Sequence, residues 1–248
     1  MNSSIVPTFK IFTIFPNLFP GTLGVSVSAK SLANSIWNLH VIDIRDFAID
    51  NYKSVDDYPF GGGAGMLMKP DVLGRAIESE LKTEINPPLI LATSARGFTF
   101  DQKIATSMNK ILTLQNRSIY IICGRFEGID ERLLEHYGVI EINLGKFVVF
   151  GGEAAAMLMI ESVVRLISGI CGNSGTILEE SYAQNTEYEN LMEHAQYTHP
   201  RIWNERSVPE TLTSGHHANI AKFNLNCAKE ITKKYTEMSF EDCCAQKI

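Results

Sequence analysis

Apolar residues recur along this chain in two rhythms, and the alternation between them predicts the architecture. Short runs rich in Ile, Val, Phe and Tyr, at Phe9–Phe15, Leu39–Ile44, Leu89–Thr93, Ser118–Cys123 and Phe147–Phe150, have the composition of strands. Between them, Ser28–Trp37, Pro70–Leu81, Asp101–Met108 and Ile129–His136 carry the helical pattern. Strands alternating with helices predict an α/β layer around a mostly parallel sheet. Ligands of such sheets collect beyond the carboxyl ends of the strands, and here Ser94–Gly97, Gly124–Gly128 and Gly151–Gly152 fall there. At Cys171–Thr176 the run CGNSGT marks a change of composition. The domain reading is therefore an α/β domain over residues 1–170, a flexible linker over 171–184 and a small all-helical domain over 185–248. A helical tail is expected from about His217 to Tyr235.

Composition narrows the classes. With 248 residues, 45% of them hydrophobic, the chain can bury a substantial core. A formal net charge of -6 argues against coating a polynucleotide by bulk electrostatics, so such a partner needs a local basic patch or a divalent cation. The five cysteines form neither a CxxC nor a Cys/His rhythm, which points to a reducing cytoplasm and no structural zinc. Met1–Lys10 lacks a secretory pattern, and the longest apolar run, Ala154–Ile167, contains Glu161 and Arg165 and is too short for a bilayer. No membrane partner is expected.

Two stretches carry the strongest chemical signal. CGRFEGIDER at Cys123–Arg132 and LGKFVVFGGEAAAM at Leu144–Met157 place glycines and charges directly after apolar runs, where bare backbone can approach a ligand. FGGGAGM at Phe60–Met66 is not a Walker loop, because Met66 follows the last glycine. It is either a closing loop or a flexible connection. Arg165 lies in an almost wholly apolar helix that is expected to be buried. It either pairs with Glu161 one turn earlier or points into a site to stabilise developing negative charge. Glu179 and Glu180 have the look of a solvated face, and His194, His199, His216 and His217 lack metal-ligand spacing, so no metal ligand is assigned.

VDDYPFGGGAGMLM at Val55–Met68, CGRFEGIDER, FGGEAAAM at Phe150–Met157, QYTHP at Gln196–Pro200 and VPETLTSGHHANI at Val208–Ile220 together resemble the bacterial tRNA (guanine-N1-)-methyltransferases, a knotted SPOUT-class family. The resemblance implies a deep trefoil knot in the α/β domain, a C-terminal domain that binds tRNA, and a homodimer with sites at the subunit interface. It implies S-adenosylmethionine as methyl donor, magnesium assistance, and N-1 of the guanosine at tRNA position 37 as acceptor. The cofactor is then expected among Thr93, Ser94 and Ala95, then Gly124, Phe126 and Glu127, and finally Leu144, Gly145, Lys146, Phe147, Val148, Val149, Gly151 and Gly152. The resemblance gives Glu180 the role of base and Arg165 that of electrostatic partner, with the carboxylate serving the partner subunit's cofactor. Glu180 stands where the family carries aspartate, one methylene shorter. A knotted tRNA-binding homologue without turnover, or a methyltransferase of another RNA position, would use the same motifs.

Overall fold

A computed structural model describes residues 6–171 and 180–239, together with Asp242 and Cys244. The chain divides into two compact units, Met1–Gly172 and Asn173–Ile248. Of the expected linker, residues 172–179 lie outside the described residues, Glu179 among them.

The first unit contains strands β1 (Thr8–Thr13), β2 (Asn38–Asp43), β3 (Asp56–Asp57), β4 (Leu67–Met68), β5 (Leu89–Thr99), β6 (Ile119–Cys123) and β7 (Ile140–Asn143). Its helices are α1 (Ser26–Ala33), α2 (Pro70–Leu81), α3 (Gln102–Thr113), α4 (Glu131–Tyr137) and α5 (Glu153–Val164). Five strands form one sheet in the order β2-β1-β6-β5-β7, and every pairing in it is parallel. Central β6 is buried at each position. Ile119, Ile121 and Cys123 enter one core with Phe9, Met159 and Ile160, while Tyr120 and Ile122 enter the other with Val72, Leu73 and Ile77. A strand covered on both faces needs a continuous apolar run instead of alternation, which is what SIYIIC supplies.

Several boundaries differ from expectation for local reasons. Phe147–Phe150 is not a strand: Phe147 N–H turns back to the Gly145 carbonyl at 3.0 Å, and the segment's apolar side chains are exposed. The strand lies earlier, at β7, a four-residue run that the sequence reading assigned to no element. β5 runs on past Thr93 to Thr99 by looping out Ser94–Gly97, so that Thr93 and Phe98 both pair with Ile142. α1 stops at Ala33, and Trp37 leaves the helix to be fully buried with its indole N–H on Ser31 Oγ at 2.8 Å. α4 begins at Glu131, because the Asp130 side chain caps it by accepting from Arg132 N–H at 3.0 Å. α2 has the expected limits.

One buried ionic cluster ties α2 to the sheet. Lys10, on β1, contacts Glu80 at 2.8 Å and Glu84 at 2.9 Å, and Glu84 also accepts from Tyr120 and Ser118 at 2.9 Å each. Burial alone would lower the Lys10 pKa, but hydrogen bonds and charge from Glu80 and Glu84 together raise it. Burial would raise that of Glu84, but bonds from Lys10, Ser118 and Tyr120 together lower it. The Glu84 contribution to stability is therefore full above its ordinary 4.5 and is lost as pH falls through the lower folded value. That of Lys10 is full below 10.5 and is lost as pH rises through the higher folded value. Lys10→Met strands two carboxylates and is expected to cost about 3 kcal/mol in urea unfolding at neutral pH, a deficit that narrows in acid as they take up protons.

In the second unit, β8 (Ile202–Trp203) and β9 (Arg206–Ser207) form a short antiparallel hairpin, so the described part is not helical throughout. α6 (His217–Glu237) is its long helix, with the expected start and two residues more at the end. The segment before the hairpin packs along α6: Met192 N–H donates to Thr232 Oγ1 at 2.8 Å and Ala195 N–H to Cys227 Sγ at 3.4 Å. No helix among the described residues is long and apolar enough to cross a membrane.

Candidate functional site

Because β6, β5 and β7 are neighbours and parallel, the loops that follow them emerge along one edge of the sheet. Their bases are welded together. Thr93 Oγ1, at the point where β5 loops out, accepts from Gly124 N–H at 3.0 Å and donates to the Ile122 carbonyl at 3.3 Å. Gly152 N–H, at the end of the third loop, donates to the Gly124 carbonyl at 2.9 Å. A Cβ on Gly152 would lie 1.7 Å from Thr93 Oγ1 and 2.9 Å from Gly124 N, so only bare backbone can pass here. Asn143 links the first and third loops, donating to the Gly97 carbonyl at 2.9 Å and accepting from Gly145 N–H at 3.1 Å.

Charged groups brace the loops from outside. Arg96 reaches Glu141 at 2.8 Å and also pairs with Glu131 on α4. Hydrogen bonds to Glu131 and then Glu141 hold its guanidinium above the ordinary arginine range. Behind the second and third loops, Glu153 is 2% exposed and paired with Arg125 at 2.7 Å. The second loop also anchors the glycine cluster, since Glu127 N–H donates to the Met66 carbonyl and Met68 N–H to the Gly128 carbonyl, each at 2.9 Å. Cys123, at the base of the second loop, is no nucleophile: burial first, and the Glu153 charge second, push its thiol well up.

The loop surfaces present main-chain donors and apolar side chains outward. Among the described residues, the N–H groups of Lys146, Val148, Val149 and Phe150 donate no hydrogen bond. Beside these donors Val148 is 85% exposed, and Phe126, Phe147 and Val149 are exposed as well. Unpaired main-chain donors flanked by apolar side chains can receive a ligand that offers lone pairs and flat apolar faces. Among the described residues no group of three or more His, Cys, Asp or Glu could hold a metal ion.

Each candidate from the sequence has a definite place. Thr93, Ser94 and Ala95 lie at the outward loop of β5, where Ser94 Oγ accepts from Arg96 N–H at 3.2 Å. Gly124, Phe126 and Glu127 form the second loop, and Leu144, Gly145, Lys146, Phe147, Val148, Val149, Gly151 and Gly152 the third. These fourteen residues come from three adjoining strand ends. Arg165 is half-buried at the C-terminal cap of α5, where its N–H donates to the Glu161 carbonyl at 3.1 Å. The helix is less enclosed than its apolar sequence suggests, because Ala154, Leu158 and Glu161 form an exposed stripe on it. Glu180 belongs to the second unit and is half-buried, its carbonyl accepting from Ala183 N–H at 3.2 Å. The residues that the sequence reading missed are the braces: Arg96, Arg125, Asn143 and Glu153. A carboxylate directly after two glycines at a helix start was the available signal for Glu153.

The family described as tRNA (Guanine-1)-methyltransferase TrmD matches residues 8–241. The chain is 45% identical over 226 residues to the tRNA (guanine-N(1)-)-methyltransferase of Ruegeria pomeroyi, covering 91% of this chain and 88% of that one. It is 43% identical over 224 residues to the protein of the same name from Anaplasma phagocytophilum, covering 90% and 91%. To that of Rickettsia prowazekii it is 40% identical over 223 residues, covering 90% and 93%.

Proposed function

Because the chain belongs to the tRNA (guanine-1)-methyltransferase family, we propose that it methylates N-1 of the guanosine at tRNA position 37 and that its three welded loops hold the methyl donor. The observation that carries the site assignment is the convergence of three parallel strand ends with unpaired main-chain donors at Lys146, Val148 and Val149. S-adenosylmethionine supplies, when bound, an electrophilic methyl carbon on a sulfonium. Adenine edges and ribose hydroxyls are within the chemistry of such donors, and Thr93, Ser94, Ala95, Gly124, Phe126, Glu127, Leu144–Val149, Gly151 and Gly152 are the residues that would hold it.

The chain's own residues then handle the guanine. Its N-1 carries a proton at neutral pH, and the Glu180 carboxylate takes that proton as the nitrogen lone pair forms the new bond to carbon. Negative charge moves toward the guanine oxygen, where the Arg165 guanidinium opposes it. Two copies of the chain form the working unit, with Glu180 of each serving the donor held by the other. The exposed apolar third loop and the Ala154–Leu158 stripe support this reading, since such a surface favours burial against a partner. The passage of Gly152 between Thr93 and Gly124, with no room for a side chain, supports a knotted course of the chain there. The second unit would grip tRNA with α6, and the reaction would take place in the cytoplasm. Magnesium assistance is part of this reading as the family resemblance implies it, with no ligand assigned.

The test is methyl uptake from labelled S-adenosylmethionine into paired tRNA transcripts carrying guanosine or adenosine at position 37. Uptake by the first alone is expected. Equal uptake by both would remove position 37 from the account.

A further inference from the structure

We infer that Arg125 and Glu153 are positioning residues for the methyl donor, acting by fixing the second cofactor loop against the third. The inference rests on the assignment of those loops above. The pair is a built device. Arg125 Nε donates to both Glu153 oxygens at 3.1 and 2.9 Å, and Nη2 meets Oε2 at 2.7 Å. Nη1 reaches into the third loop, donating to the Phe150 carbonyl at 3.2 Å. On its other side the guanidinium lies 4.5 Å from the centre of the Phe15 ring, just beyond β1. Glu153 in turn accepts from Thr13 Oγ1 at 2.8 Å, and that oxygen accepts from Phe15 N–H at 2.9 Å.

Four parts of the chain therefore meet at one charged pair: the end of β1, the second loop, the third loop and the first turn of α5. Room for the guanidinium exists because residue 151 is glycine, where a Cβ would fall 2.1 Å from Arg125 Nε. Such a pair is weak evidence for stability, since burying both charges costs about what their attraction returns. Its distinguishing property is direction. A planar fork bound at two oxygens and a carbonyl fixes the separation of two loops in a way that a point charge cannot. The donor groups of Lys146, Val148 and Val149 lie on the very loop that Arg125 restrains, and their spacing to Phe126 and Glu127 follows from that restraint.

The test uses the whole chain described above with Arg125→Lys, which retains charge beside Glu153 and loses the fork. A shift of about 1 Å between loops is enough for a loss on the order of 100-fold in kcat/KM for S-adenosylmethionine. KM for tRNA should stay within about twofold, since that surface is untouched. Calorimetric titration of S-adenosylmethionine should show weaker binding at unchanged stoichiometry, and amide exchange in the free protein should quicken across residues 144–152. Should the lysine variant fail to fold, Thr13→Val removes a single bond to Glu153 and is expected to weaken donor binding in the same direction by less. Wild-type donor affinity in the folded variant, whatever its melting temperature, overturns the inference and leaves the loop assignment standing. Wild-type protein that binds no donor overturns both.

Discussion

Glu180→Gln lowers the rate of methyl transfer by about 10³-fold while leaving donor binding unchanged, because the amide has nearly the shape of the carboxylate and cannot accept the guanine proton. Single-turnover rates at saturating donor and tRNA measure this directly. Glu180→Asp is the informative companion. It retains a base but shortens the reach by about 1 Å, and a loss on the order of 100-fold is expected if this backbone is set for the longer side chain. Were Glu180→Gln to keep full activity, proton removal by this residue would be wrong, and ribose chemistry would become the better account.

The second large effect concerns shape alone. Gly152→Ala introduces a methyl group 1.7 Å from Thr93 Oγ1 and 2.9 Å from the Gly124 backbone. Thr93 could turn its hydroxyl away only by giving up its bond from Gly124 N–H, and the backbone contact would persist. Forcing atoms into a filled space of this kind costs about 1–3 kcal/mol by itself, and separating the bases of the loops should abolish measurable donor binding. Melting temperature and donor titration read the two consequences separately. The backbone of Gly152, at φ -83 and ψ -5, is ordinary for alanine, so any loss is steric and not conformational. Wild-type donor affinity in this variant would mean that the third loop is not held where the donor binds.

How much of this could be seen in the chain before its structure depends on which residues are considered. The pattern of β6 was unambiguous, since an unbroken apolar run followed by glycine has few other uses in an α/β layer. α2 was equally legible, with proline at its first position and its apolar side chains all on one face. The third loop was misread as a strand because Phe147–Phe150 is as apolar as one. Its hydrophobicity serves an exposed surface instead, and sequence does not distinguish apolar residues that meet a partner from those that meet a core. The looping-out of Ser94–Gly97 was also hidden, since it depends on β7 pairing with both sides of the bulge at Ile142. Contacts between distant positions explain the missed braces as well: Arg125 and Glu153 are 28 residues apart, and Thr13 is 140 from Glu153. The candidate site itself was legible as a set of motifs, but not as three loops bonded to one another.

The central claim is that this chain puts a methyl group on a ring nitrogen of guanine in tRNA. Its most direct test is nucleoside mass analysis of tRNA incubated with the wild-type protein and methyl-labelled S-adenosylmethionine. The account predicts labelled 1-methylguanosine, absent when the donor is omitted. Label recovered in a ribose-methylated nucleoside, or in none, would contradict it.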